Sequence, residues 1–408
     1  MQLSLAHSSK EINAKLTITG SKSETNRLLL LQALYPELTI ENKSNSDDSI
    51  AMQHALASND PLKNIHHAGT AMRFLTAYFA TKTNNTIVLT GSQRMQERPI
   101  ELLVEALQSL GADISYSKDV GFPPLKIVGK QLEGGSVRLP ANVSSQYISA
   151  LLLIAPRLKN GLNMHLEGEI TSLPYIKMTL ALLERVGIPS VFEGKTIAIS
   201  PQEKIKMPNQ TVESDWSSAS YWFSSIALSD KGNIQLSNYR EKSLQGDAVL
   251  CKIYDQLGVE SRFHGTQLIL TKKKNFILPK SIALDLVEAP DIAQTIAVTC
   301  YGLGVACNLT GLHTLKIKET DRLLALEKEL SKLGATISVD EKSLQLSSHQ
   351  NFQNNQSIDT YNDHRMAMAF APLAIKLPLK INDAGVVSKS YPSFWEDMKT
   401  SEFQVIGK

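Results

Sequence analysis

The sequence predicts a mixed α/β (α+β) protein of two domains whose helices lie inside and whose sheets lie outside. Three observations predict it. An amphipathic helix followed by a glycine and a short β-like run occurs four times, and a polar loop opening into a helix apolar on nearly every face occurs six times. In addition, 408 residues of 42% hydrophobic content exceed what one core normally organises and suffice for two or three.

The four glycines are Gly111, Gly187, Gly258 and Gly334, spaced 187−111 = 76, 258−187 = 71 and 334−258 = 76. Each follows an apolar-periodic stretch such as Leu103–Leu110 or Leu323–Leu333, where a left-handed helix terminus is expected. The six polar loops begin near Gly20, Gly69, Ser144, Asp215, Asp291 and Asp363; after a first step of 69−20 = 49 they advance by 75, 71, 76 and 72. The two periods agree, so one structural unit is reused. Stretches such as Gln146–Ala155, Ser218–Leu228 and Met366–Ile375 have no wet face and belong inside a domain. Pro372 kinks or interrupts the last of them. Six units divide into two domains of three.

Charge narrows the function classes. With 42 basic against 40 acidic residues there is no global field for nucleic acid or an anionic membrane, so anion binding must be local. Only Cys251, Cys300 and Cys307 occur, an odd number without metal-ligand or CxxC spacing, which reads as buried free thiols. The polar N-terminus is unlike a signal peptide, and no apolar run approaches the ~20 residues of a membrane span. A soluble, cytoplasmic protein is expected.

The polar loops carry the chemistry, because a helix start offers unpaired N–H groups and partial positive charge to an anion. GSKSETNR sets Lys22 and Ser23 at a helix start with Arg27 one turn on. It has neither Walker A nor GxGxxG spacing. Ala68, Gly69 and Thr70 follow, with Arg73 behind them, then Arg94 and Arg98 in RMQERP. Ser144, Ser145 and Gln146 are neutral donors at a third start, and Ser172 and Tyr175 recur in the next unit. Singly, each serine or threonine here reads more readily as a plain N-cap. The C-terminal half sets acids beside cations: Asp291 in EAPD; Lys318, Glu319, Asp321 and Arg322 in KETDR; Asp363, His364 and Arg365 in YNDHR; and Lys389. Alone, KETDR reads as an exposed charged helix face. Its position at the opening of a repeated unit favours a site.

Together GSKSETNR, AGTAMR (68–73), RMQERP (94–99), VSSQ (143–146), SLPYI (172–176), KETDR (318–322) and YNDHRMAM (361–368) are similar, in order and over nearly the whole chain, to the enolpyruvyl shikimate-phosphate synthases of the enolpyruvyl transferase family. The resemblance implies an inside-out α/β barrel in each of two lobes, 20–212 and 1–19 with 213–408. Each lobe would hold three βαβαββ-type units, with two crossovers and the active site in the cleft. It implies transfer of the enolpyruvyl group of phosphoenolpyruvate to the 5-hydroxyl of shikimate 3-phosphate, a step of chorismate and aromatic amino-acid biosynthesis. No cofactor or metal is implied, and a monomer is expected.

By resemblance, Lys22, Ser23, Arg27, Ser144, Ser145, Gln146, Ser172, Asp291, Thr314 and Lys318 bind shikimate 3-phosphate, with Tyr175 against its ring. Lys22, His67, Gly69, Arg98, Gln146, Arg322, Arg365 and Lys389 bind phosphoenolpyruvate. Asp291 is assigned as base, Glu319 as acid and Lys22 as their charge-stabilising partner. His67 stands where the family commonly has Asn, Phe74 where it often has Pro, and Thr314 where it often has Asn. Two alternatives share the scaffold: a UDP-N-acetylglucosamine enolpyruvyl transferase, which typically uses a loop Cys, and a catalytically silent phosphometabolite-binding homologue. No Cys falls in a polar loop here, and every expected acid and base is present.

Overall fold

The computed structural model describes residues 1–141, 144–170, 173–348 and 352–407. The chain forms two compact units: an inserted unit, Gly20–Val212, and a flanking unit made of Met1–Thr19 and Glu213–Lys408.

In the inserted unit three helices, Lys22–Leu34, Gly69–Thr81 and Ser145–Ile154, pack against one another. Their burial explains their composition. Every residue from Ala71 to Ala80 is buried, including Phe74, Leu75 and Phe79. Each such large apolar side chain contributes roughly 1.5–3 kcal/mol when taken from water. Amphipathic helices such as Glu101–Ser109 cover this core with one face only, through Leu103, Val104, Ala106 and Leu107. The flanking unit repeats the scheme with Trp216–Leu228, Ala293–Leu303 and His364–Phe370. The last helix gives way at Ala371 to a 3₁₀ turn, Ala371–Ile375, with Pro372 in its first positions, so the proline interrupts the helix as its missing N–H requires.

Gly302 marks how tightly the flanking core closes. A Cβ there would stand 2.5 Å from Leu228 Cδ2 and 2.8 Å from Leu373 Cδ1, so glycine is what lets these helices touch.

Five four-stranded sheets among the described residues share one plan: a parallel pair at one edge, then two antiparallel neighbours. In one, Leu62–Asn64 runs parallel to Asn85–Thr90, which pairs antiparallel with Leu125–Gly129 and that with Asp113–Tyr116. In another, Glu11–Leu16 runs parallel to Lys231–Leu236, with Gln267–Lys272 and Val259–His264 completing it antiparallel. The sixth is a two-stranded parallel pair, Thr39–Glu41 with Asn209–Thr211.

The turn from amphipathic helix to strand is made at the four periodic glycines. Gly111, Gly187, Gly258 and Gly334 have φ of 100°, 89°, 84° and 95°. At three of them the N–H after the glycine reaches back to close the helix end: Ala112 to Leu107 O, Ile188 to Leu183 O and Ala335 to Leu330 O.

Cys251 lies in the helix Leu250–Asp255, Cys300 in Ala293–Leu303 and Cys307 in the strand Ala306–Thr310, all as free thiols. Among the described residues no helix is long and apolar enough to cross a membrane.

Candidate active site

Each buried helix begins at a polar loop, and the loops of each unit are tied to one another there. In the inserted unit, Ser21 caps the first helix by accepting from Glu24 N–H, and Ser144 caps the third through Gln146 N–H. The Gly69–Thr81 helix differs: no side chain among the described residues caps its first turn, which leaves N–H groups for a ligand. Arg98 lies against that turn. A Cβ on Gly69 would stand 2.6 Å from Arg98 Nη1, so glycine permits the approach. Gln146 donates to Thr70 Oγ1 at 3.2 Å, joining the second and third loops. Lys22 Nζ lies 3.4 Å from Asp48 Oδ2 at the start of the neighbouring helix Asp47–Ala57.

Two arginines brace this set from beneath. Arg27, 2% exposed, donates through Nε to Thr179 Oγ1 (2.8 Å), through Nη1 to Ser23 O (2.8 Å), and through Nη2 to Ser149 Oγ (3.0 Å) and Tyr175 O (3.4 Å). Its guanidinium stands 5.5 Å from the Phe74 ring and 5.9 Å from that of Tyr175. Phe74 therefore fills the space under Arg27. Burial lowers the Arg27 pKa to about 10, which still leaves it charged at neutral pH. Arg73 donates to Gly69 O and, with Tyr147 OH, to Pro99 O, so the residue after Arg98 is gripped twice. His67 is half exposed, with Nε2 4.0 Å from Asp47 Oδ2. Ser172 lies outside the described residues.

In the flanking unit Arg322 is the hub. Its Nε contacts Asp363 Oδ2 at 2.7 Å, Nη1 contacts Asp291 Oδ1 at 2.9 Å and Nη2 contacts Glu319 Oε2 at 2.9 Å. Burial pulls its pKa down, but the three carboxylates outweigh burial and hold it above the usual arginine value. KETDR is therefore not an exposed helix face. The helix Arg322–Lys332 begins only at Arg322, Asp321 caps it by accepting from Leu323 and Leu324 N–H, and Lys318 and Glu319 lie in the loop before it. Asp291 also receives Arg365 Nη2 at 3.2 Å and has Lys318 Nζ at 3.7 Å. Asp363 accepts from Arg365 N–H and so caps His364–Phe370. Lys389 Nζ donates to Asn362 O at 2.6 Å. Thr314 Oγ1 is buried and has no hydrogen-bond partner among the described residues.

The two sets differ in charge. Around the inserted unit's helix starts, Lys22 stands by Asp48, Arg27 feels Glu24, His67 stands by Asp47, and Arg73 and Arg98 lie close enough to repel each other. In the flanking unit Lys318, Arg322, Arg365 and Lys389 are matched by Asp247, Asp291, Glu319 and Asp363.

A family profile described as EPSP synthase (3-phosphoshikimate 1-carboxyvinyltransferase) matches residues 57–398. The chain belongs to the EPSP synthase family. A 3-phosphoshikimate 1-carboxyvinyltransferase of Bacteroides fragilis (strain YCH46) is 44% identical over 400 residues, covering 97% of each chain. The protein of the same name from Pseudoalteromonas translucida is 35% identical over 415 residues, covering 94% of this chain and 96% of its own. In fold, the chain is similar to an EPSP synthase of Acinetobacter baumannii, with TM-score 0.82, 21% identity and full coverage of both. It is also similar to an enolpyruvyl transferase of Streptomyces tendae, with TM-score 0.75 and 13% identity over 99% of this chain and 98% of that one.

Sequence reasoning about an EPSP synthase family member missed Asp48, Tyr147, Ser149, Thr179, and the pair Ser217 and Asp247, of which Ser217 Oγ donates to Asp247 and accepts from Arg365 Nη2. A signal existed for Ser149 and Thr179, which are polar residues within otherwise buried helix faces and so need partners.

Proposed function

We propose that this chain transfers the enolpyruvyl group of phosphoenolpyruvate to the 5-hydroxyl of shikimate 3-phosphate, releasing inorganic phosphate. The observation that carries the reading is the Arg322 fork. Addition of an alcohol across the phosphoenolpyruvate double bond needs one group to take the hydroxyl proton and another to protonate carbon. Arg322 holds Asp291 on Nη1 and Glu319 on Nη2, so two carboxylates sit in fixed relation on one guanidinium.

Asp291 takes the proton of the 5-hydroxyl as its oxygen bonds to C2 of phosphoenolpyruvate, while Glu319, entering in its neutral form with its carbonyl oxygen accepting from Arg322, gives its proton to the C3 methylene. In the elimination the Glu319 carboxylate takes a proton back from the new methyl group as the C2–O bond to phosphate breaks, and Asp291 gives its proton to the departing phosphate, which restores both groups. Lys22 offsets the charge that builds on the reacting oxygens. Shikimate 3-phosphate is bound by Lys22, Ser23, Ser144, Ser145, Gln146, Ser172, Thr314 and Lys318, with Tyr175 against its ring; Arg27 fixes Ser23 and Tyr175 by their carbonyls and supports them with its charge. Phosphoenolpyruvate is bound at the uncapped Gly69 helix start by Arg98, Gln146, Lys22 and His67, and by Arg322, Arg365 and Lys389. Two substrates carrying two phosphates and a carboxylate repel one another, and this many cations offsets that repulsion. The chain acts on its two small anions as a cytoplasmic monomer, and its near-balanced overall charge fits the absence of nucleic acid or an anionic membrane as partner.

The test is to incubate the purified chain with both substrates and no added metal, following phosphate release and the enol ether by mass spectrometry. Shikimate 3-phosphate should give product and UDP-N-acetylglucosamine none. Product from the UDP-sugar alone, or tight binding of both shikimate-pathway substrates without turnover, would overturn the reading.

A further inference from the structure

The 3₁₀ turn Gly246–Val249 carries a buried carboxylate that the chemistry above does not use. Asp247 Oδ2 accepts a hydrogen bond from Ser217 Oγ, on the first turn of Trp216–Leu228. Ser217 Oγ in turn accepts from Arg365 Nη2 at 3.2 Å. That same nitrogen is 3.2 Å from Asp291 Oδ2. A line of contacts therefore runs from Asp247 through Ser217 and Arg365 to Asp291, crossing four separate segments of the chain.

The line has a direction. An ionised carboxylate only accepts, so Ser217 must spend its single proton on Asp247 and turn its lone pairs to Arg365. Arg365 is then held at one nitrogen by both Ser217 and Asp291. If Asp247 takes up a proton, its carboxyl can itself donate to Ser217 Oγ, so the hydroxyl is no longer obliged to point its proton at Asp247 and its lone pairs at Arg365.

We propose that Asp247 is a positioning residue for the transfer reaction: through Ser217 it orients the Arg365 guanidinium that holds Asp291, and its ionisation sets part of the acid limb of turnover. This rests on the reading of Asp291 as the base. Burial and the neighbouring Asp291 raise the Asp247 carboxyl to about 6, with Asp215 adding to the rise and Arg365 and Ser217 opposing it. Tyr221 and Asp215 also face Arg365. A raised carboxyl has a second consequence. Its folded-state pKa exceeds the unfolded value, so stability falls as pH rises from about 4 to about 6, and the charged form destabilises the fold above that.

The experiment measures kcat, both KM values and melting temperature of Asp247→Asn and Ser217→Ala between pH 5 and 9, with Asp291→Asn as reference. Asp247→Asn should lose about tenfold in kcat at pH 7.5, less than the roughly 100-fold or more expected of a group that moves the proton itself, because Asp247 acts through Ser217 and Arg365. Its acid limb should move to lower pH, its KM for shikimate 3-phosphate should stay put, and its melting temperature at pH 7.5 should rise. Ser217→Ala should reproduce the kcat loss with Asp247 intact. An acid limb superimposable on the parent in Asp247→Asn, or parental kcat in Ser217→Ala, overturns the proposal. So does a fall in both kcat and melting temperature with an unshifted limb, the mark of a structural role. Asp291→Asn with near-parental turnover would instead overturn the assignment of the base, and the two failures are read from different variants.

Discussion

Arg322 Nε lies 2.7 Å from Asp363 Oδ2, and the two side chains are 2% and 0% exposed. Asp363 caps the helix His364–Phe370 and Arg322 opens the helix Arg322–Lys332, so one ion pair fixes two helix starts at once. Removing one partner strands the other charge in the core, which costs about 3–5 kcal/mol, whereas the intact pair adds little net stability. Arg322→Met should therefore lower the melting temperature by about 10 °C and abolish measurable turnover. Arg322→Lys keeps the charge but loses the fork that spans Asp291, Glu319 and Asp363. It should melt closer to the parent yet remain at least about 100-fold slower. Thermal melts and initial rates on the same samples check both outcomes.

A second outcome follows from the contact between Gly69 and Arg98. The Cβ of an alanine would meet the far end of the Arg98 side chain, at 2.6 Å from Nη1 and 3.3 Å from Cζ, and not backbone. The side chain can swing away, so the fold should survive Gly69→Ala with little change in melting temperature. What is lost is a charge-assisted contact to the anion, about 1.5–3 kcal/mol, or roughly 10- to 100-fold in KM for phosphoenolpyruvate. The KM for shikimate 3-phosphate should hardly move. Equal increases in both would mean that Gly69 supports the whole cradle and not one substrate.

Much of this architecture was legible because it is repeated. The glycine period marked helix ends where φ must be positive, and the polar loops marked helix starts that the structure caps with Ser21, Ser144, Asp215 and Asp363. The roles of single charges were less legible, because a cation near a helix start reads the same whether it faces a ligand or the core. Arg27 is such a case: the helix turns it inward, where Ser149 and Thr179, more than a hundred residues away in sequence, take its N–H groups. Asp48 and Asp247 escaped for a related reason. One reads as an acid in a first helical turn and the other sits in a short 3₁₀ turn, and neither has a periodic cue to its partner.

The YNDHR loop is held under strain, and that strain should be measurable. Tyr361 and Asn362 take φ of 53° and 56°, a conformation costing non-glycine residues on the order of 1 kcal/mol or more each. Glu329 restrains them: its buried carboxylate accepts from Tyr361 OH at 2.5 Å, from Lys332 Nζ at 2.8 Å and from Asp359 N–H at 3.1 Å. Tyr361→Phe removes one of these restraints and should cost about 1–3 kcal/mol of stability. It should also cut kcat severalfold, because Asp363 and Arg365 follow directly. Wild-type kcat with lowered stability would show that the other contacts hold the loop without Tyr361.

Lys272 gives a pH signature independent of catalysis. Its ammonium donates to Ala227 O at the end of the Trp216–Leu228 helix, and burial, reinforced by Lys376 and partly opposed by Asp230, lowers its pKa to about 8. The unfolded chain keeps that proton up to about pH 10.5. Between pH 8 and 10.5 the unfolded state therefore binds more protons than the folded one, so this group makes the fold relatively more stable as pH rises. Lys272→Met removes the term. Whatever its offset at pH 7, the mutant's melting temperature should fall relative to the parent's from pH 8 to 10.5, as the parent sheds its penalty and the mutant has none to shed. A difference independent of pH over that range would mean that Lys272 keeps its charge at no cost, with its ammonium reaching water and not held at the helix end.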